Sequence, residues 1–180
     1  KQIIIPSSVT SIANSAFENC TSMIRIFLPP SINSIGSNAF DGCSSLKQVT
    51  IPSSVTSIEE CTFNGCTSLT QISLPPSITA IKPMAFRQCS SLLKIIIPPS
   101  VKYIDFLAFH RCSSLNQVVI PSSVISIGDS AFDECSSLKK ILIPSSVKSI
   151  HKSAFSGCSS LEEITIPSYD ILNGDNIFEG

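Results

Sequence analysis

The sequence has no tryptophan, few charged residues and no long apolar run, and these absences exclude several classes of protein. Charged residues make up 14% of the 180 positions and the formal net charge is −1, so no global charge attracts nucleic acid or an anionic membrane. The apolar stretches are short, such as LLKIIIPP at 92–99, whereas a membrane-spanning helix needs about 18 apolar residues or more. We therefore predict no nucleic-acid partner and no direct membrane insertion of this segment.

Motifs that carry catalysis or bind a cofactor are also missing. The eight cysteines include no CxxC pair, so the spacing typical of zinc sites is absent. No Ser/His/acid arrangement, glycine-rich phosphate loop or suitably spaced pair of carboxylates is present. His110 and His151 stand among mixed polar residues and are expected on the surface. The sequence thus predicts no enzyme, no metal site and no cofactor.

One phrase recurs every 23 residues throughout the chain. The residue before a key proline marks this period without a slip at Ile5, Leu28, Ile51, Leu74, Ile97, Ile120, Ile143 and Ile166. A fixed period of about 20 to 50 residues is typical of a solenoid, in which each unit stacks only on its neighbours. We predict a single solenoid over residues 1–180, with seven full units over 6–166 and a partial unit at each end.

Each unit divides into three local segments. In LKKILI, Ile141 and Ile143 share one face of a strand, which Pro144 ends because it lacks an N–H donor. SVKSI then directs Val147 and Ile150 inward through a second extended segment. SAFSGC has the apolar spacing of one helical turn.

Both ends of the chain depart from this repeat. The chain opens with KQIIIP, which is the middle of a phrase, and it has no initiating Met. In the last unit, Asp170 stands where earlier units have a valine such as Val147, and Asn173 stands where they have an isoleucine such as Ile150. This change is expected for a polar cap or for the start of another segment. We expect a fragment of a longer protein, whose signal peptide or anchor would lie outside this segment.

Stacking converts repeated positions into columns of like residues. One predicted buried column contains Phe17, Phe40, Phe63, Phe86, Phe109, Phe132 and Phe155, with Phe178 as an eighth member. A second contains Cys20, Cys43, Cys66, Cys89, Cys112, Cys135 and Cys158. We expect buried free thiols there, because a free cysteine packs as a small hydrophobe, although neighbouring coils could bring two sulfurs within disulfide reach. Cys61 lies outside the column and is the predicted exposed thiol.

The phrase LxxIxIPxSVxxIxxxAFxxC resembles the leucine-rich repeat of the BspA-like family from Ile3 to Phe178. The resemblance implies a right-handed leucine-rich-repeat β-solenoid with a parallel sheet on one face, and short extended segments and helical turns on the other. It also implies a surface protein that adheres to host cells or matrix proteins, and it does not imply an enzyme. Serines such as Ser31 and Ser146 replace the usual buried asparagine, so we expect a thinner ladder of hydroxyl-to-backbone bonds.

A binding surface is expected where the first strand of each unit points outward. These positions hold six of the twelve Lys and Arg residues but two of the thirteen acidic residues, for a net charge of +4. Five of the eight residues in the third outward column are apolar, although β-propensity alone also favours such residues in strands. The predicted binding residues are Arg25, Phe27, Lys94, Ile96, Val119, Lys140 and Leu142.

Two functions fit these patterns. The first is a non-catalytic protein-binding module of a cell-surface or secreted adhesin, which contacts a host protein or an acidic glycan through the outward positions. The second is an intracellular scaffold for protein–protein interaction in the cytoplasm. Seven thiols in one column and no obvious disulfide staple favour this second function.

Overall fold

The computed structural model describes residues 1–179 as stacked coils with fifteen short strands and one 3-10 helix. The strands are β1 (Gln2–Ile4), β2 (Ser11–Ile12), β3 (Arg25–Phe27), β4 (Ser34–Ile35), β5 (Gln48–Thr50), β6 (Ser57–Ile58), β7 (Gln71–Ser73), β8 (Ala80–Ile81), β9 (Lys94–Ile96), β10 (Tyr103–Ile104), β11 (Gln117–Val119), β12 (Ser126–Ile127), β13 (Lys140–Leu142), β14 (Ser149–Ile150) and β15 (Glu163–Thr165). The 3-10 helix spans Tyr169–Ile171.

Each coil contributes one strand to each of two parallel stacks. The odd-numbered strands pair at steps of 23 residues, as Gln48 does with Gln71. The even-numbered strands form a second stack, in which Ser57 pairs with Ala80. Strand pairing is interrupted in the first stack between β7 and β9 and between β11 and β13, and in the second stack between β4 and β6. The predicted β-solenoid is confirmed, and the second extended segment of each unit is itself a short strand.

The odd-numbered strands alternate between core and solvent. Ile95 in the middle of β9 is 1% exposed, whereas Lys94 and Ile96 on either side face outward. This alternation follows from the two-residue period of a strand. The middle residue therefore belongs to the core, while the flanking two form an outer surface.

The third side of each coil consists of single hydrogen-bonded turns rather than a helix. Alternate N–H groups donate three residues back, as Cys158 does to the Phe155 carbonyl, and those between donate to the next coil, as Phe155 does to Ile177 at 2.8 Å. Left-handed backbone at Ser153 (φ 55°) and Gly157 (φ 64°) stops a right-handed helix from propagating. The predicted helical turns are thus isolated turns that bond one coil to the next.

The phenylalanine column forms a continuous spine. Adjacent rings stack with centroids 5.2–5.7 Å apart and planes within 12° of parallel. Phe40, Phe63 and Phe86 are completely buried, as predicted. Phe17 is half-buried in the first coil, and Phe178 stacks on Phe155 but remains 39% exposed. The spine is therefore dry in its middle and partly open at both ends.

The cysteine column lies beside this spine as free thiols. The six from Cys43 to Cys158 are buried, and Cys20 in the first coil is half-buried. The Cys66 thiol donates to the Phe40 carbonyl oxygen at 3.2 Å, a contact that the other buried thiols of the column repeat. Burial raises the pKa of Cys43 to about 12. Cys61, predicted to be exposed, is half-buried, and partial burial raises its pKa also.

The serine ladder is present but incomplete. The hydroxyls of Ser31, Ser77 and Ser123 each donate at 2.7 Å to a carbonyl oxygen 22 residues earlier. The Ser146 hydroxyl oxygen is buried and has no hydrogen-bond partner among the described residues. The expected hydroxyl-to-backbone bonds are therefore confirmed at some coils and are missing at others, such as that of Ser146.

The last coil slips by one residue and then recovers. Leu172 bridges to Ile150, which is 22 residues earlier instead of 23. Ile171, not Asp170, is the buried residue of the 3-10 helix. Register is restored at Ile177, which accepts a hydrogen bond from Phe155 as in earlier coils. The core thus continues past the polar residues of the final unit.

Candidate binding surface

The sheet face, defined here as the outward side of the odd-numbered strands, exposes every predicted binding residue. These residues are Arg25, Phe27, Lys94, Ile96, Val119, Lys140 and Leu142. Ile96 and Leu142 are 57% and 65% exposed, and Phe27 and Val119 are 49% and 44% exposed. Their role in binding stays a prediction, while their position on one accessible surface is an observed feature of the fold.

The exposed apolar residues form two groups along the third outward column. Ile4 pairs with Phe27 at one end, and Ile96 pairs with Val119 toward the other, where Leu142 follows on the next strand. Thr50 and Ser73 separate the two groups. The apolar row is therefore divided by small polar residues in the middle of the face.

A shallow depression of about 590 Å³ lies where the sheet is interrupted between β7 and β9. Its walls include the half-buried Ile72 and Leu74 and the exposed Leu93, Lys94 and Ile96. Ile72 is partly uncovered here, whereas the equivalent Ile95 is 1% exposed. The apolar walls of this depression can receive an apolar side chain, and the cation of Lys94 stands at its edge.

The positive charges of the face differ in their availability. The Lys140 ammonium lies 2.5 Å from a Glu163 carboxylate oxygen, and this hydrogen bond raises the pKa of Lys140. Within residues 1–179, Arg25 and Lys94 form no such ion pair. Arg25 and Lys94 are therefore better placed to attract an acidic partner than Lys140, whose charge is already compensated.

Tyr103 and Phe106 are exposed aromatic residues that lie outside the sheet face and escaped the sequence analysis. Tyr103 in β10 is 52% exposed, and Phe106 is 46% exposed. Most residues in the column of Tyr103 are serines, such as Ser57 and Ser126. The same comparison of columns that identified the sheet face would have shown this exception.

His110 is a correction to the sequence-based expectation. Predicted on the surface, it is 9% exposed, with its Nδ1 atom 3.2 Å from an Asp133 carboxylate oxygen. Burial lowers the pKa of His110, and the nearby Asp133 charge opposes this shift. His151 is half-buried. His110 thus lies between two coils instead of facing solvent.

The 23-residue repeat of this chain matches a known family of repeat proteins. The model described as BspA type leucine-rich repeat region matches residues 1–116 and 79–180, in six copies. The chain belongs to this family. Family membership agrees with a non-enzymatic repeat protein that binds other proteins, and it names no partner. No curated protein sequence matches the chain significantly.

Solved structures of bacterial leucine-rich repeat proteins share the fold. The leucine-rich repeat protein of T. pallidum is 34% identical, with a TM-score of 0.85 over 89% of this chain and 77% of its own. A leucine-rich cell surface protein from Faecalibacterium prausnitzii is 33% identical, with a TM-score of 0.84 over 97% of this chain and 50% of its own. A leucine-rich repeat protein from Bacteroides ovatus is 28% identical, with a TM-score of 0.54. The chain thus spans half the length of the F. prausnitzii relative.

Within residues 1–179, no helical structure has the length and apolar character needed to cross a bilayer. The only helix described in that range is the three-residue one at Tyr169–Ile171.

Proposed function

We propose that this segment is a non-catalytic binding module of a cell-surface or secreted adhesin, whose host partner docks on the sheet face. The observation that carries the proposal is the row of exposed apolar side chains, including Ile96 and Leu142, on a face that also holds an excess of positive charge. Contiguous exposed apolar residues mark contact surfaces more often than scattered ones do. The F. prausnitzii relative is described as a cell surface protein, which supports the proposed location.

The partner is a protein with an acidic surface rather than a glycan. Buried apolar anchors supply most of the affinity at a protein interface, whereas charges mainly steer the encounter. A polyanionic glycan would use Arg25 and Lys94 but would leave Phe27 and Ile96 without a role. An acidic protein that inserts an apolar side chain beside Lys94 would contact both the apolar walls of the depression and the cation at its edge.

The scaffold alternative loses the support that the cysteines gave it. Because the six column thiols from Cys43 to Cys158 are buried and burial raises the pKa of Cys43 to about 12, these six thiols resist oxidation in any compartment. Unpaired thiols therefore do not favour the cytoplasm over the cell surface.

A matched pair of double variants tests the proposed face. Lys94→Glu with Ile96→Ser alters the sheet face, and Lys148→Glu with Tyr103→Ser makes an equivalent change in charge and apolar area at exposed positions elsewhere. Binding is measured by biolayer interferometry against a panel of purified extracellular matrix proteins and against heparin. Folding of each variant is checked by circular dichroism.

We expect the sheet-face variant to bind its matrix protein at least tenfold more weakly and the control variant to bind as the natural sequence does. Equal losses in both variants would reject the sheet face as the binding surface. If only heparin binds, the two sheet-face changes are also made as single variants, and binding that is lost with Lys94→Glu but kept with Ile96→Ser would establish the glycan instead.

A further inference from the structure

Three side chains that can ligate metals meet on the turn side of the solenoid, away from the sheet face. His110 belongs to one coil, and Asp133 and Glu134 belong to the next. One nitrogen or oxygen from each side chain lies within 4.8 Å of those from the other two. The residues are 23 and 24 positions apart, so no short motif announces them, and the sequence alone predicted no metal site.

The Nδ1 atom of His110 is the unusual member of this cluster. His110 is 9% exposed, and its Nδ1 atom is buried without a hydrogen-bond partner among the described residues. Although Nδ1 lies 3.2 Å from Asp133 Oδ2, the angles between them are not those of a hydrogen bond. Buried polar atoms without partners are uncommon in native structures, and a missing ion is one explanation for them.

The separation of His110 Nδ1 from Asp133 Oδ2 is that of two ligands around one metal ion, and Glu134 is close enough to join them after a small movement of its side chain. Zn²⁺ binds imidazole nitrogen and carboxylate oxygen at about 2.0–2.2 Å, so two ligand atoms at a tetrahedral angle stand roughly 3.3 Å apart. The Nδ1–Oδ2 separation of 3.2 Å matches this value. One histidine with two carboxylates is a ligand set for Zn²⁺ and related divalent ions, with the fourth position left to water.

We propose that His110, Asp133 and Glu134 form a binding site for a divalent transition metal of the Zn²⁺ type, which clamps two neighbouring coils together. The same column elsewhere shows what an ordinary contact looks like. Asn64 Nδ2 donates directly to Asp41 Oδ1 at 2.8 Å, which joins the two coils without an ion, although Asn64 Oδ1 is buried without a partner among the described residues. His110 makes no equivalent bond to Asp133.

Arg111 competes with the metal for Glu134. Its Nε and Nη2 atoms each lie 2.9 Å from one of the two Glu134 carboxylate oxygens. Because this pair is about half exposed, with 49% and 48% of the two side chains accessible, the arginine can move aside into solvent. Removing the guanidinium in Arg111→Gln should therefore strengthen metal binding by several-fold.

The test is titration of the purified protein with Zn²⁺ by calorimetry, together with absorption spectra of the Co²⁺ form. His110→Asn copies the Asn64 arrangement and is expected to fold, and Asp133→Asn removes the second ligand independently. The matched controls are His151→Asn, which removes the only other histidine, and Cys61→Ser, which removes the half-buried thiol outside the cysteine column.

We expect one equivalent of Zn²⁺ to bind, with affinity at least tenfold lower in His110→Asn and in Asp133→Asn and unchanged in both controls. The Co²⁺ spectrum should show a tetrahedral site without sulfur-to-cobalt charge transfer. Absence of binding, binding retained without His110 and Asp133, or a sulfur-to-cobalt band would overturn the site. An unchanged affinity in Arg111→Gln would remove Glu134 from the ligand set and overturn the three-ligand arrangement.

Discussion

The interior of the solenoid keeps nearly the same residue at each step, whereas the sheet face changes from coil to coil. Phenylalanine fills seven successive positions of the spine from Phe17 to Phe155, and cysteine fills its column equally regularly. Over the same coils the third outward column contains both large apolar and small polar residues, as at Phe27 and Ser73. The buried columns therefore keep one residue type, whereas the third outward column of the sheet face varies.

The difference has a physical origin. Inside, each ring must fit against the rings above and below it, and close packing penalises any change in shape. Outside, side chains such as Lys94 and Ile96 meet water, and most substitutions there cost little. Residues on the exterior can therefore vary to suit a binding partner, while residues in the interior are constrained by the packing of each coil.

Among substitutions in the interior, those in the middle of the phenylalanine spine should lower the free energy of unfolding most. Phe86 stacks between Phe63 and Phe109 at 5.5 and 5.3 Å and is completely buried. Phe86→Ala should lower the free energy of unfolding by about 3–5 kcal/mol, since it leaves a cavity that the neighbours cannot close. Phe178→Ala, at the 39% exposed end, should cost less than half as much. Urea unfolding followed by circular dichroism measures both, and equal costs would contradict a spine buried chiefly at its centre.

Alkaline pH should loosen the interior by ionising its thiols in the unfolded chain. Burial raises the pKa of Cys43 from an ordinary value of 9.0 to about 12. The folded state therefore keeps its proton longer, and the stabilisation is complete below pH 9.0 and is lost as pH rises toward 12. Each such thiol should remove up to about 1.4 kcal/mol per pH unit in that window.

Cys43→Ala isolates this contribution from the titration of lysine and tyrosine. Between about pH 9 and 11 the variant should lose less stability than the natural sequence, by urea unfolding at each pH. Cys61→Ser, at a half-buried position, should change the slope less. If the unfolding free energies of Cys43→Ala and of the natural sequence changed in parallel with pH, the Cys43 thiol would ionise as readily in the folded state as in the unfolded state, which would contradict the prediction.

The turn column should respond in opposite directions at two of its positions. Gly65 has φ +67°, and an added Cβ would come no closer than 3.5 Å to the Gly42 backbone, so Gly65→Ala introduces backbone strain without a clash. We expect a loss of about 1 kcal/mol. Gln88 holds the same left-handed conformation at φ 60°, so Gln88→Gly should gain roughly 0.5 kcal/mol after the greater freedom of the unfolded glycine is included. Thermal unfolding gives both signs, and destabilisation by both changes would disprove strain at Gln88.

Most of the fold was predictable because the 23-residue period specifies which side chains touch. Once Phe63 and Phe86 must overlie one another, the strands between them fall into register, and the inward position of Ile95 follows from the strand period. The exposure of Ile96 follows equally, so the sheet face could be located before its coordinates were known. Its ligand could not, because affinity depends on a partner that the repeat does not encode.

The features that sequence reasoning missed are local departures from the repeat. His110 was assigned to the surface because its column is mixed and polar, yet its burial depends on contacts with the following coil, including Asp133. The slip at Leu172 depends on a competition between burying Ile171 and keeping the 23-residue step. Periodicity describes the average coil and is silent about such competitions.

The smallest effect should come from the sheet face itself, and two neighbouring residues of β9 make the comparison direct. Ile96→Ser, at a side chain that is 57% exposed, should change the free energy of unfolding by less than about 0.5 kcal/mol. Ile95→Ser, at 1% exposed, buries a hydroxyl in the space of a larger side chain and should cost roughly 3 kcal/mol or more. Thermal and urea unfolding of the two single variants measure the difference. If Ile96→Ser destabilised the protein as much as Ile95→Ser, the apolar row would be part of the folding core, and its claim to be a binding surface would lapse.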